Sequence, residues 1–368
     1  MAALHALQFF DCQEDDMGFT RVGREVRYNN SLVYLAGVHA GTGTASTTDG
    51  LIPPFDDDMK RLRDNNRRNN FFRHWLVPYW KYSPPGSVDT NQVVFQRNSA
   101  GKWRLWAFND GVYFARLDQL IAKAAEKGVV VQLVLFDRCG LDTSKPGENP
   151  VKRWDNSPWN SANNVNGVIV QEGTSLSGLP EVYKNQAEIR GAQENYIKHV
   201  LTKTKAHANV FYEIMNEPIG GTNDGTGYDR VSWADWVVGV IHGETAGSHL
   251  IFYNDHTGGA RGADIKKWKE RALPNYNNFH GVIFHGRPAD YDPANAAYAA
   301  FNNEKIFQVS SDGFADTAQE QADSKATNTS WTNHAFGKKM IYQAHTNSAQ
   351  AADGIGAASP TKPTTLTF

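Results

Sequence analysis

The sequence lacks most of the features that would settle its class quickly. Of 368 residues only Cys12 and Cys139 are cysteines, too few for a disulfide framework or a cysteine-based zinc site. Whether those two pair is left open. No apolar run reaches the ~18 residues of a membrane-spanning helix. Lys and Arg number 37 against 39 Asp and Glu, with no long basic block, so neither nucleic acid nor an anionic membrane surface is an expected partner. The start, "MAALHALQFFDCQEDDMG", has no basic region, and its apolar run turns acidic too soon for a signal peptide. The chain either stays inside the cell or is exported by a signal absent from this sequence.

Aromatic residues, by contrast, are plentiful. There are 10 Trp and 14 Tyr, many in stretches that read as loops, a distribution suited to stacking on flat ligands such as sugar rings. Strand-length apolar runs alternate with longer amphipathic ones. "SLVYLAGVHAG", "NFFRHWLVPYW", "VVVQLVLFDRCG", "NVFYEIMNEP", "HLIFYNDH", "NNFHGVIFHG", "EKIFQVSSDG" and "GKKMIYQAHTN" give eight strands. Helices are expected over "FDDDMKRLRDNN", "FNDGVYFARLDQLIAKAAEKG" (capped by Asn109 or Asp110 and stopped by Gly128), "AEIRGAQENYIKHVLTKTKAH" and "VSWADWVVGVIHGE". Uniformly apolar strands such as the third have no wet face, as in a parallel sheet covered on both sides. One α/β (β/α)8 TIM barrel with long βα loops fits this alternation better than two domains. Residues 1–346 form the barrel with an N-terminal extension, and 347–368 a C-terminal tail or truncated linker. The sixth and eighth helices are faint, and the polar insertion from about Leu141 to Val182 is long enough to be a functional loop.

The strand ends are polar almost without exception: His39, Arg73 with His74, Asp137 with Arg138, Asn216 with Glu217, Asn254 with Asp255 and His256, His285, Asp312, and His345. A barrel places its active site at these ends, so the ring marks a site. Within "NVFYEIMNEPIGG", strict alternation puts Glu213 and Glu217 on one face of a strand that is otherwise apolar.

"EIMNEP" resembles the fourth-strand motif of the clan A glycoside hydrolases, the retaining barrels typified by the cellulase-like glycoside hydrolase family 5. "NNFFRHWL" resembles their second strand and "FHGVIFHG" their sixth. The resemblance implies hydrolysis of a β-linked oligo- or polysaccharide, internally and with retention, by two carboxylates and without a cofactor. Glu217 would be the general acid/base and Asn216 would bind the sugar 2-hydroxyl. The family places a Glu at the end of strand seven, where this chain has Asp312, so Asp312 is the expected nucleophile. Glu213 is expected to pair with Arg73 and orient it. Arg73, His74, Trp75, Trp80, Asp137, Trp154, Trp159, Asn163, Asn164, Asn254, His256, His285, His39 and His345 complete the expected substrate-binding set, and no metal ligand is assigned. The protein is expected to act on carbohydrate as a monomer.

Two other readings remain at this point. His39, His256, His285, Asp312 and His345 are a plausible ligand set for a metal-dependent barrel hydrolase. A carbohydrate-binding pseudoenzyme would tolerate the shorter acid at strand seven.

Overall fold

The computed structural model describes residues 18–39, 69–76, 94–138, 157–167, 180–218, 225, 229–255, 262–286, 288–311, 329–344 and 363–368. The expected helix over "FDDDMKRLRDNN", the two cysteines and most of the 141–182 insertion lie outside them.

Eight parallel strands close into a barrel: β4 (Ala36–His39), β5 (Phe71–Trp75), β8 (Val130–Asp137), β9 (Val210–Asn216), β10 (Ile251–Asn254), β11 (Gly281–His285), β12 (Ile306–Ser311) and β13 (Ile341–Ala344). These are the eight strands expected from the sequence. Every residue of β8 and β9 is buried, because side chains on one face fill the barrel and those on the other pack under helices. Around the strands lie α1 (Ala115–Glu126), α2 (Ala187–Thr204), α3 (Arg230–Thr245), α4 (Ala263–Glu270) and a helix over residues 329–337. Leu117, Leu120, Ile121 and Ala124 form the buried stripe of α1, the spacing of an amphipathic helix. Two short 3-10 turns, Pro288–Tyr291 and Ala296–Tyr298, follow β11, where the sixth helix is faint in sequence.

Three details differ from the sequence reading. Neither Asn109 nor Asp110 caps α1: a π-helical turn, Asp110–Phe114, precedes it, and the Asn109 amide donates to the Phe95 carbonyl at 3.0 Å. The aromatic stretch before α1 is a hairpin of β6 (Phe95–Arg97) and β7 (Trp103–Phe108), with Trp103 and Leu105 buried and Trp106 turned outward. Residues 363–368, within the stretch expected to be a tail or truncated linker, are packed against the barrel. They run beside the start of the barrel, where the Tyr34 amide donates to Thr364 Oγ1 at 2.8 Å and the Thr364 amide to the Tyr34 carbonyl at 3.0 Å.

That end closes the barrel floor together with the antiparallel sheet of β1 (Phe19–Val22), β2 (Glu25–Tyr28) and β3 (Ser31–Leu32). Phe19, Val26 and Leu366 join Phe71, Val130, Phe211, Phe252, Ile283, Ile306 and Ile341 in one apolar cluster. Above this layer the barrel interior turns polar. Gln132 and Gln308 exchange amide hydrogen bonds of 3.1 and 2.7 Å across it. An apolar floor under a polar throat leaves the carboxyl ends of the strands as the place for chemistry.

Candidate active site

The deepest charged pair of the throat is Arg73 on β5 with Glu213 on β9. Both are buried; Arg73 Nε donates to Glu213 Oε2 at 2.6 Å, and Nη2 to the other carboxylate oxygen. A fork on two oxygens is the strong form of this contact, and removing either partner would strand a buried charge. The same Nη2 also donates to Asn216 Oδ1 at 2.8 Å, and Asn216 Nδ2 donates to Asp137 Oδ1 at 2.9 Å. Asn216 therefore spends its acceptor and one donor on the protein and keeps its second N–H.

Asn216 stands three residues beyond Glu213, yet both meet one guanidinium, so strict alternation does not hold at the end of β9. Glu217 departs further, with φ at +46°, a left-handed conformation that is rare for a residue with a Cβ and rarer still before a proline. Such local strain is kept only where the surroundings enforce it. The chain continues with Pro218. Glu217 is 20% exposed, whereas Asn216 and Glu213 are buried. The two carboxylates of this strand are thus a buried, paired Glu213 and an accessible Glu217.

Two basic side chains face Glu217. Arg138 Nη1, 4% exposed, stands 3.8 Å from Oε2, and His285 Nδ1 stands 3.6 Å from Oε1. Arg138 extends the β8–β9 ladder by one residue, its amide donating to the Asn216 carbonyl at 3.2 Å. The His285 tautomer follows from its other nitrogen. Asn254 Nδ2 lies 2.8 Å from His285 Nε2 and 3.3 Å from Glu213 Oε1. A carboxylate paired with Arg73 can only accept, so the Asn254 amide hydrogens point this way and Nε2 accepts. The imidazole proton is then on Nδ1, facing Glu217.

The other expected residues divide into three groups. Arg73, Asp137, Asn216, Asn254, His285 and Glu217 come together in this network. Trp75, partly buried, stands beside it with the Arg73 guanidinium 4.6 Å from its ring centre. Asp312, His256, His345, Trp80 and Trp154 lie outside the described residues. For His39 only the backbone is described, paired with Arg73 at the rim of β4 and β5.

Four residues are placed elsewhere. His74 alternates with Arg73 and Trp75 and shares the face of Phe72, with which its ring stacks. It is fully enclosed, and burial lowers its pKa from 6.5 to about 4. Trp159 is buried against Phe95, Phe136 and Tyr196, so it is core rather than a sugar platform. Asn163 and Asn164 tie down their own loop: Asn163 Nδ2 donates to Ser157 O at 3.1 Å, Asn164 Nδ2 to Pro158 O at 3.2 Å, and the Trp103 amide to Asn163 O at 2.7 Å. An amide-rich loop satisfying its own backbone looks the same in sequence as one aimed at a ligand. Arg138 stands in the polar strand-end ring read from the sequence but not in the expected substrate-binding set, and its guanidinium beside Glu217 makes it a site residue.

Among the described residues, no three His, Cys, Asp or Glu side chains are grouped to hold a metal ion, and no helix is long and apolar enough to cross a membrane. By sequence the chain matches no protein-family model and no curated protein. By structure it is similar to an endo-1,4-β-mannanase from Rhizomucor miehei, with a TM-score of 0.56 and 14% identity over 89% of this chain and 90% of that one. It is similar also to the β-mannanase of the blue mussel Mytilus edulis, at 0.57 and 11% over 95% and 100%. A glycoside hydrolase family 5 mannosidase from Rhizomucor miehei aligns at 0.54 and 11% over 90% and 86%. At these identities the likeness is one of fold, and this chain has the (β/α)8 fold of those enzymes.

Proposed function

We propose that the protein is a glycoside hydrolase that cuts a β-linked polysaccharide internally and with retention, with Glu217 as general acid/base and Asp312 as nucleophile. The observation that carries this reading is Glu217 itself. It is the partly exposed carboxylate at the end of the fourth barrel strand, turned out by a left-handed backbone and faced by Arg138 and His285. The fold shared with mannanases supports the reading and puts β-1,4-mannan first among the substrates to try.

In the first step the Glu217 carboxyl gives its proton to the glycosidic oxygen as the bond from that oxygen to the anomeric carbon breaks. The Asp312 carboxylate attacks the same carbon and forms a glycosyl ester. Glu217, now ionised, takes a proton from water, whose oxygen displaces Asp312 and restores both groups. Asn216, held by Arg73 and Asp137, offers its remaining N–H to a sugar hydroxyl. His285 Nδ1–H faces the Glu217 carboxylate that each proton transfer leaves or consumes.

The test compares wild type, Glu217→Gln and Asp312→Asn on β-1,4-mannan, β-1,4-glucan and xylan, counting new reducing ends with and without EDTA. Activity in EDTA that falls by about 10²–10⁴-fold in each folded variant supports the two-carboxylate mechanism. Undiminished activity in Asp312→Asn moves the nucleophile elsewhere. Activity abolished by EDTA alone overturns the reading in favour of a metal-dependent hydrolase.

A further inference from the structure

Where β7, α2 and α3 meet, the outer flank of the barrel carries two tryptophans that are not fully buried and three helix glycines. Trp106 on β7 is 49% exposed; one exposed ring is ordinary on a protein surface, but this one has a second tryptophan near it. It meets α2 at Gly191, where a Cβ would stand 3.5 Å from its Cη2. At the preceding residue of α2, the Arg190 guanidinium lies 4.4 Å from the ring centre of Trp236 on α3. Two tryptophans therefore attach to α2 at consecutive positions, one of them held flat by a cation.

Beside Trp236 the surface sinks into an open groove of about 450 Å³, lined also by Glu194, Lys198, Gly239, Gly243 and Glu244. Glycine inside a helix is disfavoured relative to alanine, so each one asks for a reason. Gly239 has one in the Asn275 amide, 2.9 Å from where its Cβ would be. Gly243 would meet nothing within 4 Å, and Gly191 makes only ordinary contact. Gly243 is therefore the position that leaves backbone open to close approach from outside.

The rim has the chemistry of hydroxyl recognition. Lys198 Nζ bridges Glu194 at 2.7 Å and Glu244 at 3.6 Å, setting donors and acceptors side by side. Glu194 and Glu244 flank Lys198, and Lys205 also reaches the Glu244 carboxylate at 4.0 Å, so the charges are near balance, which disfavours a polyanion, and ionised groups disfavour a purely apolar partner. Barrel helices run antiparallel to the strands, so their first turns lie beside the mouth. Gly191 and Trp236 both fall in second turns, and the strip descends from there.

We propose that Trp106, Trp236 and the groove form a second carbohydrate-binding site, which holds a neutral polysaccharide on the flank while another stretch of the chain occupies the mouth. The link to cutting rests on the glycoside-hydrolase reading; the binding does not.

The experiment uses the full chain and β-1,4-mannan, as affinity electrophoresis in gels containing the polymer and as turnover of polymer against mannotetraose. Trp106→Ala tests the exposed ring. Gly243→Gln fills the groove from a position with free space and a helix-favouring residue, so it keeps the fold if Trp236 variants do not. Each is expected to weaken retention by the polymer about tenfold and to slow polymer turnover, with mannotetraose turnover unchanged. Wild-type retention in the double variant overturns the inference and leaves the hydrolase reading intact. Retention lost in both variants of a chain that cuts no glycan upholds the flank site and defeats the hydrolase reading instead. Absence of retention in wild type overturns the flank site whatever the turnover shows.

Discussion

Glu213 and Glu217 are the same residue type four positions apart, and their surroundings give them different work. Glu213 is closed off by Arg73, while Glu217 is open to the mouth between Arg138 and His285. Arg73→Met is therefore expected to leave a buried, unpaired carboxylate and to cost about 3–5 kcal/mol, read as a lowered urea midpoint. It should also lower turnover, because Asn216 loses one of the two partners that fix its amide; full activity with full stability would contradict that role. His74 gives a second prediction. With both ring nitrogens lacking a partner, burial lowers its pKa from 6.5 to about 4. Between those values the unfolded chain binds a proton that the folded chain refuses, so stability is level above pH 6.5 and falls as pH drops toward 4. The loss attributable to this group is roughly 3 kcal/mol. His280, lowered to about 3 by burial, adds to it in the same direction. His74→Leu should flatten part of the slope in urea titrations between pH 7 and pH 4.5, and an unchanged slope would contradict the assignment. At this scale the sequence disclosed the Asn216–Glu217 pair and the Arg73–Glu213 partnership, because a carboxylate inside a core strand needs a cation. It did not disclose that Trp159 is core or that Asn163 and Asn164 hold their own loop, since residue type alone does not say which way a side chain points.

The elements were legible wherever burial made the pattern uniform. Strands covered on both faces read as largely apolar runs, and the eight were visible as such despite the buried polar Arg73, Gln132, Glu213 and Gln308 within them. The departures sit where the backbone leaves its regular form: the π turn before α1, the hairpin of β6 and β7, and the left-handed Glu217. None of these has a composition signature. The approach of β4 to β5 is a further case. Gly37 pairs with Phe71, and a Cβ at Gly37 would overlap the Phe71 carbonyl. Gly37→Ala should force the two strands apart and cost about 3 kcal/mol, seen in thermal unfolding; a wild-type melting temperature would show that the strands can separate freely there. The C-terminal strand belongs to the same account. Leu366 lies in the floor cluster with Phe19 and Phe211, so Leu366→Ala is expected to cost about 2 kcal/mol without changing catalysis. A tail with no structural role would show no loss.

Taken whole, the barrel separates stability from chemistry along its axis. The floor is apolar and closed by both described ends of the chain, the throat is polar and internally hydrogen-bonded, and the mouth carries Glu217. Substitutions in the floor should move unfolding and leave turnover alone, and those at the mouth should do the reverse. The central claim is that Glu217 supplies the proton to the departing oxygen. The most direct measurement is the activity of Glu217→Ala on two substrates, a β-1,4-linked polysaccharide and a dinitrophenyl glycoside of the same sugar, whose leaving group departs without a proton. The account predicts a loss of about 10²–10⁴-fold on the polysaccharide, a much smaller loss in forming the glycosyl-enzyme from the dinitrophenyl glycoside, and turnover of that glycoside restored by azide. Equal losses on both substrates, with no rescue by azide, would contradict it.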